Sequence, residues 1–304
     1  MIQLPSLQQL RFLSALAEHR HFGRAADACA VTQPTLSAGI QELEAKLGVP
    51  LVERSRRNIL LTPMGEEILA RARRLLHDAE ELVEIARGGH EPLSGPLRLG
   101  VIPTIGPYLL PPLMRGLKEV FPKLKLYLRE EQSAPLIEKL EAGSLDLGLL
   151  ALPYDLGDLE SMPLGQDEIV VALPKDHPLA AGKRVASDQL AGQPLLMLED
   201  GHCLRDHALA ACSLTGPDRN EVFQGTSVKT LVEMAASGLG ITLLPKMAVA
   251  AEVPAEGDLT TRPLAADAPA RSLALVWRRS ATRKEDFRTF GRHIAKVLTR
   301  LAAG

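Results

Sequence analysis

From residue 97 onward, short apolar runs alternate with longer segments of helical period, and few folds accommodate such an alternation. The runs at 97–102 and 145–152 have the length of strands and read as buried. The segments at 108–120 and 135–142 have the apolar spacing of amphipathic helices. Strands that alternate with helices predict an α/β fold built on parallel sheets with right-handed crossovers.

The alternation runs in two series, which predicts two subdomains with a cleft between them. One series fills about 97–166 and the other about 167–271. A late strand at 273–277 and a C-terminal helix from Arg283 are expected to return to the first subdomain, which therefore also includes about 272–304. The other strands predicted in this region are 125–130, 168–173, 195–198, 222–225 and 241–244.

The first sixty residues contain three helical segments, at 6–18, 23–30 and 34–47. Pro34 is favoured at a first helical position, and Gly48 marks the end of the third helix. Two short helices with a tight connection predict a helix-turn-helix, whose second helix enters the major groove of DNA. The alternative is an ordinary helical subdomain with a charged, solvated face.

The residues that would enter the groove lie where the third helix begins, and four of them carry side chains that can hydrogen-bond base edges. A β-like stretch at 51–61 follows, and its arginines suit contacts with DNA phosphates. Cys29, on the packing side of the small-residue helix, is interpreted as a core residue. The predicted DNA-contacting residues are Thr32, Gln33, Pro34, Thr35, Ser37, Arg54, Arg56 and Arg57.

A long helical segment at 63–90 carries one narrow apolar stripe among many charges. A helix of that kind needs a partner for its stripe, so the pattern predicts dimerisation through it. Glycine and proline at 88–96 predict a hinge. The predicted domains are 1–62 for DNA binding, 63–90 for the linker helix, 91–96 for the hinge and 97–304 for regulation.

The charge balance limits how nucleic acid can be bound. The net charge is −2, which argues against a protein that coats nucleic acid without selection. DNA binding must therefore rely on a local concentration of arginines. The sequence shows no apolar run of membrane-spanning length and no secretory leader, so we expect a cytoplasmic protein with no membrane partner. In that compartment a transient disulfide is more informative than a permanent one.

Cys203 follows an apolar run at 195–198 and a turn signal at Asp200-Gly201, so it lies where a helix is predicted to begin. Unpaired backbone N–H groups and the helix dipole favour a thiolate at such a position. His202 and Arg205 flank the sulfur and could add positive charge. The pattern indicates a reactive cysteine.

Cys212 lies nine residues after Cys203, and a helix would separate the two by roughly 13 Å at about 1.5 Å per residue. A disulfide needs Cα atoms within about 7 Å of each other. The two cysteines can therefore bond only if the segment between them gives up its helical shape, which would make the pair a switch. The alternative is two unrelated small hydrophobic residues.

Two hydroxyl residues occupy the same topological position as Cys203. Thr104 follows the first predicted strand and Ser133 follows the second. Ligands in open α/β sheets bind beyond the carboxyl ends of strands, so these groups could converge on one small polar pocket. The alternative role for both hydroxyls is helix capping. No spacing of His, Cys or Asp indicates a metal site, and no phosphate-cradling glycine loop is present.

Two stretches resemble the LysR-type transcriptional regulators. The run Ala-Ala-Asp at 25–27, Val-Thr-Gln-Pro-Thr-Leu-Ser at 31–37 and Leu-Val-Glu-Arg at 51–54 is similar to their winged helix-turn-helix. Residues 196–206, Leu-Met-Leu-Glu-Asp-Gly-His-Cys-Leu-Arg-Asp, resemble the redox-active segment of the family's peroxide sensors. The resemblance runs over nearly the whole chain. It implies a winged helix-turn-helix, a linker helix and a two-subdomain regulatory domain like a periplasmic binding protein.

The resemblance also implies roles for individual residues. Cys203 would be the peroxidatic cysteine and Cys212 the resolving one. Arg278 would support the thiolate in preference to Arg205, and serine at Ser133 stands where the family often has threonine. The implied peroxide pocket consists of Thr104, Ser133, His202, Asp206 and Arg278.

The implied function is an activator of oxidative-stress genes that binds promoter DNA and responds to hydrogen peroxide. The implied protein needs no cofactor or metal and is not an enzyme. It would form a dimer through the linker helix and then a tetramer, with RNA polymerase as a further partner. The first alternative is a LysR-type regulator that binds a small organic effector in the cleft, with incidental cysteines. A thiol peroxidase is the second alternative, and the helix-turn-helix speaks against it.

Overall fold

A computed structural model describes residues 3–54, 59–86, 93–211, 220–265 and 270–303. The chain separates into an N-terminal unit, Met1–His90, and a larger unit that contains Glu91–Leu140 and Leu145–Gly304. Over the described residues, no helix is both long enough and apolar enough to cross a membrane.

The N-terminal unit is a three-helix core followed by a hairpin and a long helix. Leu13, Leu16, Leu36, Ile40 and Leu43 are fully buried in its core, because the first and third helices repeat leucine or isoleucine at intervals of three or four. The hairpin strands pair antiparallel. The elements are α1 (Leu7–His19), α2 (Phe22–Ala28), α3 (Gln33–Leu47), β1 (Val52–Arg54), β2 (Ile59–Leu61) and α4 (Pro63–Ala86).

Helix ends in this unit follow local sequence signals. Ser6 and Gln9 form a capping box at the start of α1, and the Thr32 hydroxyl accepts from the Thr35 amide at the start of α3. Gly48 ends α3 with φ of 72°, the left-handed conformation that glycine adopts without strain. Helix α3 begins at Gln33, one residue before the predicted start at Pro34.

The larger unit contains two five-stranded sheets, in the orders β4-β3-β5-β12-β6 (the first sheet) and β11-β7-β10-β8-β9 (the second sheet). The strands are β3 (Gly95–Val101), β4 (Leu124–Glu130), β5 (Leu147–Leu152), β6 (Leu159–Asp167), β7 (Ile169–Pro174), β8 (Pro194–Leu198), β9 (Asn220–Gly225), β10 (Ile241–Pro245), β11 (Leu259–Pro263) and β12 (Arg271–Arg278). The helices are α5 (Gly106–Met114), α6 (Leu117–Val120), α7 (Ser133–Glu141), α8 (Cys203–Ala211), α9 (Val228–Ala236), α10 (Lys246–Glu252) and α11 (Lys284–Ala303). Two short 3-10 turns, Pro178–Ala181 and Ser187–Leu190, precede β8.

Both sheets are mixed, so the expectation of parallel sheets holds for only part of each sheet. Strand β3 runs parallel to β4 and β5, and β8 runs parallel to β9 and β10. Strand β12 is antiparallel to β5 and β6, and β7 is antiparallel to β10 and β11. A helical crossover between neighbouring strands imposes parallel pairing, but β12 returns to the first sheet only after the chain has built the second one.

The helix predicted over 108–120 is also two helices. Helix α5 ends at Met114, Arg115 is extended, and Gly116 has φ of 81° before α6 begins at Leu117. Apolar periodicity continues across the break, because both helices pack on the same core cluster through Leu113 and Leu117. Periodicity alone therefore hid the kink.

Gly65 allows the backbone of α4 to lie close to the backbone of Leu51, which a residue with a side chain would prevent. A Cβ at this position would lie 2.1 Å from the Leu51 carbonyl oxygen, which is a backbone atom. Alanine normally stabilises a helix relative to glycine by roughly 1 kcal/mol. We expect Gly65→Ala instead to destabilise the N-terminal unit by about 1–3 kcal/mol through overpacking, measured by chemical denaturation. Unchanged or greater stability would contradict the packing described.

Candidate redox site

Cys203 is the first residue of α8, directly after a turn in which Gly201 has φ of 96°. Its side chain is 3% exposed and packs into the core of the first sheet. Leu204 and Ala208, on the same helix, pack into the core of the second sheet. The cysteine is therefore held between the cores of the two sheets.

A buried arginine lies at the centre of this region. Arg271, the first residue of β12, donates to the Asp167 carboxylate at 2.8 and 3.0 Å and to the Thr104 hydroxyl at 2.9 Å. Its guanidinium also donates to the Thr104 carbonyl at 3.0 Å, and the side chain is fully buried. Burial raises the pKa of the Cys203 thiol, and the positive charge of Arg271 acts in the opposite direction.

The environment of Cys203 combines opposing effects. Burial raises the pKa of the thiol, and this effect is larger than any other. The Ser133 hydroxyl, Arg271 and a backbone hydrogen bond from Ala151 each lower the pKa, whereas the Asp206 charge raises it. The net direction is upward, so the resting group is a thiol. The helix start and nearby cations do not produce the resting thiolate expected from the sequence, because burial outweighs them.

The Ser133 hydroxyl can donate a hydrogen bond to the Cys203 sulfur. It is the first residue of α7 and is 1% exposed. Its oxygen makes no hydrogen bond of ordinary geometry to any described residue, although buried hydroxyls are normally paired. Because this hydroxyl lowers the pKa of Cys203, it acts as a donor to the sulfur when the thiolate forms.

Arg278 does not take the role assigned to it. It is the last residue of β12, seven positions from Arg271, or roughly 23 Å along an extended strand. Its guanidinium donates to the Leu140 and Leu145 carbonyls at 2.7 and 2.6 Å. The prediction for Arg278 was therefore wrong, and Arg271 is the basic residue beside the thiol.

The two residues expected to flank the sulfur with positive charge are engaged elsewhere. Nε2 of buried His202 lies 3.1 Å from the Gln132 amide nitrogen and 4.0 Å from a Glu199 carboxylate oxygen. Burial lowers the pKa of His202, so its ring is neutral near pH 7. Arg205 pairs with Asp200 at 2.9 Å and donates to the Leu198 carbonyl at 3.0 Å. Both side chains hold the turn before α8.

Asp206 is exposed, and its carboxylate opposes the thiolate. Two neighbours went unrecognised in the sequence. Tyr154, after β5, has its pKa raised first by burial and then by Cys203 and Asp206. His207 is buried one helical turn after Cys203, a spacing of four that could have identified it. Cys212, Arg56 and Arg57 lie outside the described residues.

The start of α3 presents the residues predicted to contact DNA. Thr32, Gln33, Pro34 and Thr35 are exposed, and Ser37 is half-buried. The Thr32 and Thr35 hydroxyls lie 2.8 Å apart. Arg54 ends β1, and its side chain lies outside the described part of the structure. No group of three or more His, Cys, Asp or Glu among the described residues could hold a metal ion.

Arg271 and Arg278 can be separated by experiment in a Cys29→Ser, Cys212→Ser background, where Cys203 is the remaining thiol. We expect Arg271→Met, combined with Asp167→Asn, to move the pH midpoint of Cys203 alkylation upward, because a charge that favours the thiolate is lost. Arg271→Met alone should also cost about 3–5 kcal/mol of stability by leaving Asp167 unpaired. Arg278→Met should leave the alkylation profile unchanged. A shift with Arg278→Met only would reverse the assignment.

Two family models together cover most of the chain. Residues 7–66 match the model described as "Bacterial regulatory helix-turn-helix protein, lysR family", and residues 90–299 match "LysR substrate binding domain". These matches confirm the predicted combination of a DNA-binding unit with an α/β regulatory domain.

Individual relatives agree with these models. The hydrogen peroxide-inducible genes activator of Pectobacterium carotovorum is 45% identical over 273 residues, 90% of this chain and 90% of the relative. The HTH-type transcriptional regulator EstR of Acinetobacter baylyi is 42% identical over 304 residues, 100% of this chain and 99% of the relative. A full-length OxyR variant of Pseudomonas aeruginosa superposes with a TM-score of 0.83 at 39% identity, over 96% of this chain and 95% of that one. The chain therefore belongs to the LysR family of bacterial helix-turn-helix regulators, in its OxyR branch.

Proposed function

We propose that this protein is a DNA-binding regulator of transcription that senses hydrogen peroxide by oxidation of Cys203 and disulfide formation with Cys212. The observation that carries the proposal is the position of Cys203. A single buried sulfur lies at a helix start, beside a cation and an unpaired hydroxyl, between the cores of two sheets. The names of the OxyR relatives support hydrogen peroxide as the signal.

The proposed chemistry has two steps. The Cys203 thiolate attacks one peroxide oxygen, so an S–O bond forms, the O–O bond breaks and hydroxide leaves, taking up the thiol proton as water. The Cys212 sulfur then attacks the Cys203 sulfenic acid, forming the S–S bond and releasing a second water. Peroxide accepts the two electrons that the thiols lose. Arg271 and Ser133 favour the thiolate that begins the sequence, against the effect of burial.

Helix α8 is compatible with the reduced state, and the proposed disulfide requires it to unwind. It is nine residues long and ends at Ala211, so Cys212 follows its last residue. At about 1.5 Å per residue α8 extends roughly 12 Å from Cys203 to Ala211, whereas a disulfide needs Cα atoms within about 7 Å of each other. We therefore propose that α8 unwinds when Cys203 bonds to the residue that follows Ala211. Leu204 is 2% exposed, and fully exposing such a side chain costs about 1.5–3 kcal/mol. Oxidation therefore repacks the surface of the second sheet.

Recognition of promoter DNA is proposed for Thr32, Gln33, Pro34, Thr35 and Ser37 at the start of α3. The exposure of the first four supports this assignment. Arg54, Arg56 and Arg57 are proposed to contact the DNA backbone or the minor groove. An antiparallel hairpin directly after a helix-turn-helix is the arrangement expected of a wing.

Dimerisation is proposed through α4. Leu69 and Ala72 are buried in the N-terminal core, whereas Leu75, Leu82 and Val83 are each at least 50% exposed. Three exposed apolar side chains on one half of a long helix indicate a surface that a second copy covers. A tetramer, contact with RNA polymerase and a cytoplasmic location are further parts of the proposal.

A regulator that binds a small organic effector in the cleft was the alternative, and the relatives named as hydrogen peroxide-inducible genes activators do not favour it. The two functions differ in what Cys203 does, because a metabolite sensor does not need the thiol.

We expect peroxide to change the affinity for a promoter fragment by roughly 5–150-fold, the usual range of coupling between two sites. The direction of the change is left open, and a footprint can accompany the affinity measurement. Cys203→Ser should abolish the change, because no sulfur is oxidised. Cys29→Ser should behave as the unsubstituted protein, since Cys29 lies in the N-terminal core. A full peroxide response in Cys203→Ser would contradict the proposal and favour an effector-binding regulator.

The order of oxidation can be tested by mass spectrometry. In Cys212→Ser, peroxide should leave Cys203 as a trapped sulfenic acid, because the resolving thiol is missing. The unsubstituted protein should instead show a bond between residues 203 and 212 that thiol reductants reverse. Modification mainly at Cys29, or at Cys212 before Cys203, would show that the order is wrong.

A further inference from the structure

We propose that His207 is a positioning residue of the redox site, whose hydrogen bond to Pro153 holds α8 in the reduced arrangement and is broken when the disulfide forms. This inference rests on the proposed function, since it concerns the same helix and the same two cysteines. It adds a pH dependence to the redox equilibrium.

The hydrogen bond joins elements from the two sheets. Nε2 of His207, on α8, lies 2.8 Å from the carbonyl oxygen of Pro153, which follows β5 of the first sheet. A carbonyl can only accept, so Nε2 carries the proton and Nδ1 is the unprotonated nitrogen. Helix α8 also contacts β8 and β10 of the second sheet. The bond therefore fastens α8 to the same β5 end that places Ala151 beside the Cys203 sulfur.

The other nitrogen of the ring is left unsatisfied. His207 is 7% exposed, and Nδ1 has no hydrogen-bond partner among the described residues. A buried acceptor without a partner is unfavourable, and exposure to water removes that penalty. The Nε2 hydrogen bond of His207 therefore stabilises the reduced arrangement, whereas the buried Nδ1 without a partner destabilises it. Because the two effects oppose each other, the hydrogen bond can be broken when α8 unwinds.

Burial, together with the charges around it, keeps the His207 ring neutral in the reduced protein. Burial lowers its pKa most, the hydrogen bond to Pro153 raises it, Arg271 lowers it and Asp206 raises it. Asp206 is exposed, so its charge is screened by solvent. Cys203 on α8 is a neutral thiol, Tyr154 after β5 is a neutral phenol, and β8 and β10 carry no titratable side chain.

Unwinding α8 would change the proton affinity of His207. Once the Pro153 bond is broken and the ring reaches water, its pKa returns toward about 6.5. As pH falls below about 6.5, His207 takes up a proton in the disulfide form. In the reduced form His207 stays neutral until the pH reaches the lower pKa of the buried ring. Neutral His207 therefore stabilises the reduced arrangement fully above about 6.5, and this contribution is lost on acidification.

A glutathione buffer isolates the effect. Exchange of the protein dithiol with glutathione disulfide transfers two electrons and no net proton at pH values below the thiol pKa values. If His207 takes up one proton in the disulfide form, each unit of acidification below about 6.5 should raise the oxidised-to-reduced ratio up to tenfold at a fixed glutathione ratio. Above about 6.5 the ratio should be constant.

The test measures this ratio for the full chain between pH 5.5 and 8, by trapping thiols with acid and counting them by mass spectrometry. His207→Gln keeps an N–H donor for Pro153 but cannot titrate, so its ratio should vary less with pH than that of the unsubstituted protein. His293→Gln is the matched control. It removes another histidine whose pKa is lowered by burial, on α11 of the same unit, and should retain the dependence of the unsubstituted protein.

The outcomes separate the inference from the proposed function. A disulfide ratio that depends on pH in the same way in the unsubstituted protein and in His207→Gln would overturn the inference and leave the proposed function standing. If no disulfide forms, the proposed function fails. The positioning role of His207 is then tested by measurements on the reduced protein. There, an NMR titration should give His207 a pKa below that of a free histidine, and hydrogen exchange at 204–210 should accelerate as it protonates. An ordinary titration without faster exchange would overturn the positioning role.

Discussion

The ion pair between Arg271 and Asp167 is the interaction on which the redox site depends. Both side chains are buried, and a buried charge persists only when it is paired and hydrogen-bonded. The pair joins the first residue of β12 to the last residue of β6, and its hydrogen bonds extend to Thr104 after β3. The remaining Asp167 oxygen accepts from the Met247 amide of α10, beside the second sheet. One charge pair therefore fixes where the two sheets meet.

Arg271 of this pair acts electrostatically on both Cys203 and His207, and it affects the charged forms of the two groups in opposite ways. The Arg271 charge favours the thiolate and disfavours the imidazolium. Burial acts on both groups in favour of the neutral form. The reduced site is therefore held neutral at Cys203 and His207, while the groups needed to stabilise a thiolate are already in place. Pre-positioned donors in a water-poor site cost little reorganisation when the charge develops.

Much of this arrangement could be predicted from the sequence, because local signals determine it. The strand before Cys203, the turn at Gly201 and the start of a helix at Cys203 all follow from residue type and spacing. Strand β6 and strand β11 were missed, because β6 contains a proline and a glycine, which weaken a strand pattern, and β11 has a single buried position. Helices α9 and α10 were also missed.

The resemblance pointed to Arg278, and the direction of β12 explains why Arg271 lies beside Cys203 instead. Arg271 and Arg278 bracket the same apolar strand, and residue type does not distinguish them. In a parallel sheet the carboxyl end of β12 would lie beside the carboxyl ends of β3 and β5, which would bring Arg278 to the site. Because β12 is antiparallel to β5, its amino end pairs there instead, with Ser272 opposite Leu152. Strand direction is a property of the long-range connection, so no local pattern could reveal it.

The shortness of α8 explains why a chemical change at one atom can alter a whole surface. A nine-residue helix is marginal by itself in water, so its stability comes from packing and from a few side-chain hydrogen bonds. Those contacts are divided: Cys203 and His207 engage the first sheet, whereas Leu204 and Ala208 engage the second. Moving the sulfur out of the first core therefore weakens the support of the helix on both sides together. A longer helix, or one packed on a single core, would tolerate the loss of one contact and remain folded. A helix that is short and shared between two cores can exchange one arrangement for another at modest free-energy cost, which is the property that the proposed switch requires.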